Sequence, residues 1–250
     1  VPRLDTELVA RGLVASRNRA AREIAAGNVT VNGHPVTKPS HAVGPHDQLA
    51  LTQADPWVAR SAHKLLGAFS DLGIDRVDGL TCLDAGASTG GFTQVLLTNG
   101  AAHVYAVDVG HDQLHASLRT DPRVTNLEGH NLRELTPEWT RGEVDLVVAD
   151  VSFISLTLFI DRLMHVTRPG GHLLLMVKPQ FELDRSALDK HGVVTSEQKR
   201  HEAVDRVITH MRSAGAHILR THESHLPGPS GNIEYFVYAE SPVVSQGEVT

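Results

Sequence analysis

The sequence predicts an α/β fold: a mostly parallel sheet with helices on both faces, preceded by a small α+β module. Three observations predict it. From about residue 58 onward, short apolar runs alternate with helical stretches. Those runs are nearly uninterrupted, as strands buried on both faces must be. Within the first fifty residues, an Asn-Gly pair between β-branched residues marks a separate hairpin.

In the small module, Leu4, Leu8 and Val9 recur at helical spacing. Ser16 is the expected N-cap of a second helix over 17–26, and Gly27 its stop. A strand over 29–31, the turn Asn32-Gly33, a strand piece ending near Val36 and a last strand over 47–51 follow. Residues 52–57 read as a linker, because proline breaks both helix and strand, and Trp57 either pins it to one domain or is ordinary packing. The expected boundaries are 1–54 for the module, 55–59 for the linker and 60–250 for the large domain. There the strands are expected at 80–83, 103–107, 124–127, 144–149, 173–177, 218–220 and 235–238. Helices are expected around "SAHKLLGAF", at 90–97 and from Thr195-Ser196-Glu197 to about Ala214.

Composition narrows the function classes. A chain of 250 residues, 41% hydrophobic and 21% charged, has a real core. The most apolar region, 144–159, carries Asp145 and Asp150, so a membrane span is not expected. The single cysteine, Cys82, fits a reducing compartment, and the first residues hold no apolar signal core; a cytoplasmic protein is expected. The chain opens on Val1 rather than methionine, so the native protein is expected to begin earlier. The 16 histidines are scattered without HExxH or paired CxxC, and no metal site is expected. The net charge of −6 hides a module at +2, and a local basic face matters more for phosphate contact than the total.

The sharpest local signal is Asp84-Ala-Gly86-Ala-Ser88-Thr89-Gly90-Gly91-Phe92, between a buried strand and a helix, where open α/β sheets bind nucleotides. Asp108 ends the next strand, placed to accept hydrogen bonds from both ribose hydroxyls of an adenosine. Ser88 replaces the second glycine of the dinucleotide fingerprint, and Asp84 would repel a pyrophosphate while suiting a cationic ligand. The charge argument therefore favours S-adenosylmethionine over NAD. Asn131, in "HNLREL", is the candidate adenine contact.

Four charged residues stand at element ends: Lys64, Asp150, Lys178 and Glu234. Asp150 and Lys178 follow apolar runs, which puts them at the carboxyl edge of the sheet. Phe153 follows Asp150 closely and is a candidate to stack on a flipped base, with a core role equally open. Ser230 and Asn232, in the turn-rich "PGPSGN", are candidates for RNA contact.

The first segment, "ELVARGLVASRNRAAREIAAGNVTVNGHPVTKPSHAV", resembles the S4 RNA-binding domain. The resemblance implies RNA contacts by Arg3, Arg17, Arg19 and Lys38. The four charged residues look like the Lys-Asp-Lys-Glu tetrad of the FtsJ/RrmJ-like 2′-O-methyltransferases. Through "AHKL", "CLDAGASTGGFT", "DLVVADVSFISL", "VKPQFE" and "LPGPSGNIEYF" the whole chain resembles the TlyA family of ribosomal RNA cytidine 2′-O-methyltransferases, which also carries hemolysin names. Ser61 departs from the glycine expected before "AHK".

The resemblance implies a Rossmann-like class I methyltransferase fold with a seven-stranded, mostly parallel sheet. It implies S-adenosylmethionine as donor, S-adenosylhomocysteine as product, and ribosomal RNA in ribosomal subunits as partner, with no stable membrane partner. Cofactor contacts are expected from Asp84, Gly86, Ser88, Thr89, Gly90, Gly91, Phe92, Asp108, Asn131 and Asp150. Lys178 is the expected base or oxygen-orienting group, Asp150 its positioner close to the methyl, and Lys64 with Glu234 the rest of the network. A dinucleotide-dependent oxidoreductase, a membrane-active hemolysin and a non-catalytic RNA-binding protein that retains the fold are the rival readings.

Overall fold

The structure is a computed structural model that describes residues 2–52, 55–74 and 76–243. It divides into two compact units, Val1–Pro56 and Trp57–Thr250. Gln53 and Ala54 of the expected linker lie outside the described residues.

The first unit packs α1 (Leu4–Ala10) and α2 (Arg17–Ala25) on a sheet of β1 (Val29–Val31), β2 (His34–Pro35) and β3 (Leu49–Leu51), in the antiparallel order β2-β1-β3. The Ser16 hydroxyl caps α2 by accepting the Arg19 amide at 3.3 Å. Asn32 and Gly33 both take positive φ, 52° and 80°, as a tight hairpin turn requires. The last strand starts at Leu49 rather than 47. The Asp47 carboxylate is instead a turn anchor, accepting the Gly44 amide at 2.7 Å and the Asn32 side-chain amide at 2.9 Å. Leu4, Leu8, Ile24 and Val29 are fully buried and form the centre of this core.

The second unit begins with α3 (Ser61–Leu72) and continues as β4 (Thr81–Ala85), α4 (Gly91–Thr98), β5 (His103–Asp108), α5 (Ala116–Arg119), β6 (Val124–Glu128) and β7 (Val144–Ala149). Then come α6 (Ile160–Val166), β8 (Thr167–Val177), α7 (Pro179–Glu182), α8 (Glu197–Ser213), β9 (His217–Glu223) and β10 (Tyr235–Glu240). The seven strands lie in the order β6-β5-β4-β7-β8-β10-β9. β10 runs antiparallel to both its neighbours, while β4 to β8 are parallel. Alternate strand residues feed two cores: Leu83, Val147 and Leu175 face α6 and α8, whereas Cys82, Val148 and Leu174 face α3 and α4. Trp57 packs against the second of these.

Two differences from the sequence reading have local causes. β8 starts at Thr167, ahead of the apolar run, because the chain passes Pro169-Gly170-Gly171 as an irregularity in its pairing with β7. α6 carries no side-chain cap at Phe159 and is only seven residues long, so it shows neither a start signal nor a readable period.

Truncating Ile24 to alanine should cost about 2–5 kcal/mol, a large share of what a fifty-residue unit can hold. Urea unfolding of the full chain is expected to show an earlier transition for the first unit. A curve superimposable on the parent would contradict its place in that core.

Candidate active site

The chemistry-bearing residues of the second unit gather at the carboxyl ends of β4, β5, β7 and β8. The loop after β4 turns through positive φ at Gly86 (85°), Ser88 (47°) and Gly90 (96°). Gly86 is required: a Cβ there would stand 2.9 Å from the Asp150 carbonyl oxygen at the end of β7. The Gly86 and Ala87 amides donate to the Val107 carbonyl at 2.8 and 3.1 Å, the Ser88 amide to Asp108 Oδ2 at 2.8 Å, and the Gly90 amide to the Ala87 carbonyl at 2.7 Å. These amides are therefore spent inside the fold and form no cradle for a pyrophosphate.

Two cavities open at this edge. The larger, about 540 Å³, is lined by Asp108, Val109, His130, Asn131, Phe153 and Ile154 among others. The smaller, about 230 Å³, is lined by Arg60, Lys64, Phe92 and Lys178. Gly86, Ser88, Asp150 and Ser152 line both, so the two meet along one lip. The larger has the size of a nucleoside site. It joins a carboxylate, Asp108, to the apolar walls Val109 and Ile154.

The structure sorts the expected cofactor contacts. Gly86, Ser88, Asp108, Asn131 and Asp150 line the larger cavity, and Phe92 the smaller. Thr89, Gly90 and Gly91 line neither. A Cβ on Gly91 would lie 2.2 Å from Ser61 Oγ, so this glycine serves the contact of α4 with α3. Asp84 also lines neither cavity. It is fully buried, with Oδ2 accepting the Thr93 hydroxyl of α4 at 2.7 Å. The expectation that its charge faces a cationic ligand is corrected: Asp84 is a strut between β4 and α4, and burial pushes its carboxyl up to about 7.

The four tetrad residues converge as two ion pairs. Lys64 reaches in from α3, and its Nζ donates to Glu234 Oε2 at 2.5 Å. Glu234 reaches this edge because β10 is antiparallel, which sets Tyr235 opposite Val177. Lys178 follows β8, and its Nζ lies 2.7 Å from Asp150 Oδ1. All four side chains are at most 13% exposed. Lys178 Nζ also donates to Ser152 Oγ at 2.8 Å, a contact the sequence reading missed. Its only signal was the two-residue spacing from Asp150, which returns a side chain to the same side of an extended segment.

The segments "DVSFIS" and "KPQFE" lie against each other by three such links. Lys178 meets Asp150 and Ser152. The Phe181 ring lies 5.2 Å from that of Phe153. Buried Glu182 accepts the Ser155 hydroxyl at 2.5 Å and the Leu156 amide at 2.9 Å, and burial raises its carboxyl above the usual range. Between them Phe153 is held at a φ of 67° with 90% of its surface exposed, which makes it a rim residue and not part of the core.

The polar candidates elsewhere also divide. Asn232 is buried and its amide is spent, Oδ1 accepting the Val194 amide and Nδ2 donating to the Gly192 carbonyl, both at 2.9 Å. Of the pair, only Ser230 is presented on the surface. In the first unit, Arg3 and Arg17 both bind the buried Asp5 carboxylate, at 2.9 and 3.1 Å, and hold that carboxyl well below the usual range. Their side chains remain 51% and 63% exposed. Arg19 instead donates to the Asp55 carbonyl and lies near Glu23, which ties it into the unit. Lys38 is exposed.

Asp84 generates a pH prediction. The folded state keeps its proton up to about pH 7, whereas an unfolded chain releases it near 3.8. Stability from this group is therefore complete below 3.8 and falls as pH rises toward 7. In Asp84→Asn that decline should flatten. Parallel melting-temperature curves for parent and variant across this range would refute it.

Comparison with known proteins accords with this geometry. The model of the FtsJ-like methyltransferase family matches residues 57–241, and that of the S4 domain residues 2–49. The 16S/23S rRNA (cytidine-2'-O)-methyltransferase TlyA of Mycobacterium tuberculosis is 50% identical, covering 94% of this chain and 88% of its own. Hemolysin A of Brachyspira hyodysenteriae is 37% identical over 94% of this chain and 98% of its own. A solved structure from Streptococcus thermophilus, carrying a hemolysin name, aligns at TM-score 0.76 with 35% identity over 96% of this chain and 88% of its own. A matching family model over most of the second unit, and half-identity along nearly the whole chain, make this protein a member of the FtsJ-like methyltransferase family, in its TlyA branch with an N-terminal S4 domain.

Proposed function

We propose that this chain transfers a methyl group from S-adenosylmethionine to the ribose 2′-hydroxyl of a cytidine in ribosomal RNA, leaving S-adenosylhomocysteine. The observation that carries the reading is the lip shared by the two cavities, with Asp150 on it and Lys178 beside it. A nucleoside-sized cleft meets there a smaller one, lined by Lys64 and Lys178 and of the size a sugar needs. The sulfonium donor, when bound, supplies an electrophilic methyl. The residues of the chain do the rest. Asp108 is placed for the adenosine ribose, and Val109, Ile154 and Phe159 for its base. Lys178 Nζ takes or directs the hydroxyl proton, and Asp150 holds that amine in place. Lys64 lines the smaller cavity and offers a donor to a ribose, its charge balanced by the buried Glu234. Alignment of oxygen and methyl then carries much of the rate.

The exposed rim ring of Phe153 suits a splayed-out base, and the Arg3–Arg17 pair on Asp5, with Lys38 and Ser230, suits RNA phosphates. The partner on this reading is a ribosomal subunit, met in the cytoplasm. The TlyA name of the half-identical mycobacterial relative supports both the base and the RNA. The oxidoreductase reading loses its ground with the spent loop amides. For the hemolysin reading, no helix among the described residues is long and apolar enough to cross a membrane.

Purified protein with methyl-labelled donor and isolated ribosomal subunits is expected to place label on a cytidine ribose, resistant to alkaline cleavage at that position. Lys178→Ala should lower turnover by about 10²–10⁴-fold with donor affinity nearly intact. Full activity in that variant, or no label in any subunit, would overturn the proposal. Arg17→Ala should weaken RNA binding across sequences and reduce the salt slope by about one; an unchanged slope would remove Arg17 from the interface.

A further inference from the structure

We infer that Ser152 is a positioning residue for the transfer: its hydroxyl oxygen fixes one N–H of Lys178, so that the remaining direction of Nζ points at the reacting sugar oxygen. The inference rests on the methyl-transfer reading above and goes beyond the tetrad.

An amine nitrogen has three directions besides its own carbon. On Lys178 one is taken by the hydrogen bond to Ser152 Oγ at 2.8 Å, while Asp150 Oδ1 lies 2.7 Å from Nζ as a counter-ion without hydrogen-bond geometry. The side chain is 9% exposed. Lys178 lines the smaller cavity, whereas Asp150 and Ser152 line both. With one direction held by Ser152 and Asp150 alongside as counter-ion, the direction facing the smaller cavity is left for a substrate. In the charged form it carries an N–H that the hydroxyl oxygen can accept. In the neutral form one N–H stays on Ser152 and the Asp150 carboxylate draws the other, so that the lone pair occupies the third direction, ready for the hydroxyl proton. Without Ser152 the neutral amine is free to turn an N–H into the cavity, and the lone pair then faces away. Proton balance is simple: the 2′-oxygen gives its proton to Lys178 Nζ as its bond to the methyl forms and the methyl–sulfur bond breaks.

Ser152 is exposed, so its removal should not disturb the core. Ser152→Ala should lower kcat by about 10- to 100-fold, a deficit that persists on the alkaline plateau of the kcat–pH profile, where only orientation differs. Ser152→Thr, which keeps the hydroxyl, should recover most of the loss. The affinity for S-adenosylhomocysteine, measured by calorimetry, should stay within twofold. A plateau equal to the parent's would overturn the inference. So would an equal deficit in the threonine variant, or a loss of product affinity matching the loss of rate. Lys178→Ala is measured alongside: full activity there defeats the methyl-transfer reading itself, whereas an inactive Lys178→Ala with a parent-like Ser152→Ala defeats only the role of Ser152.

Discussion

Two lysines brought to the rim of an apolar sheet must be neutralised where they stand. Each has less than a tenth of its side chain exposed, and an ammonium removed from water to that degree is costly unless a carboxylate and further hydrogen bonds compensate it. Much of the second unit can be read as meeting that demand. β7 delivers Asp150 to Lys178, and the reversed last strand delivers Glu234 to Lys64. The pairs that make the charges tolerable also set their geometry, so stability and chemistry share one set of contacts.

The same economy shapes the loops. The turn after β4 gives its Gly86, Ala87 and Ser88 amides to Val107 and Asp108. The "KPQFE" segment grips the loop after β7 at both ends, and this is how an exposed aromatic ring is kept in a backbone conformation that a bulky residue rarely adopts.

The strands buried on both faces were legible because a two-sided core needs unbroken apolar runs, and Ser16, Gly27 and Asn32-Gly33 were legible because capping and turn geometry admit few residues. The tetrad was legible as charges terminating such runs. What the sequence hid was direction. Asp84 and Asn232 stand in the right segments, yet one is turned under the sheet and the other into its neighbouring loop. Arg19 sits two residues from the exposed Arg17 but folds back on Glu23 and Asp55. Ser152 and Glu182 are common residue types whose importance comes only from what lies opposite them. Spacing assigns a side chain to an element; packing assigns it a face.

The Lys64–Glu234 pair joins residues 170 positions apart in the chain. During synthesis, then, the first helix of the domain must wait with an uncompensated cation until nearly the last strand has left the translation machinery. A chain cut short before Glu234 forfeits the partner as well as the strand that joins β8 to β9 in the sheet. The bond thus works as a latch on completion, making the finished domain and the competent one the same object.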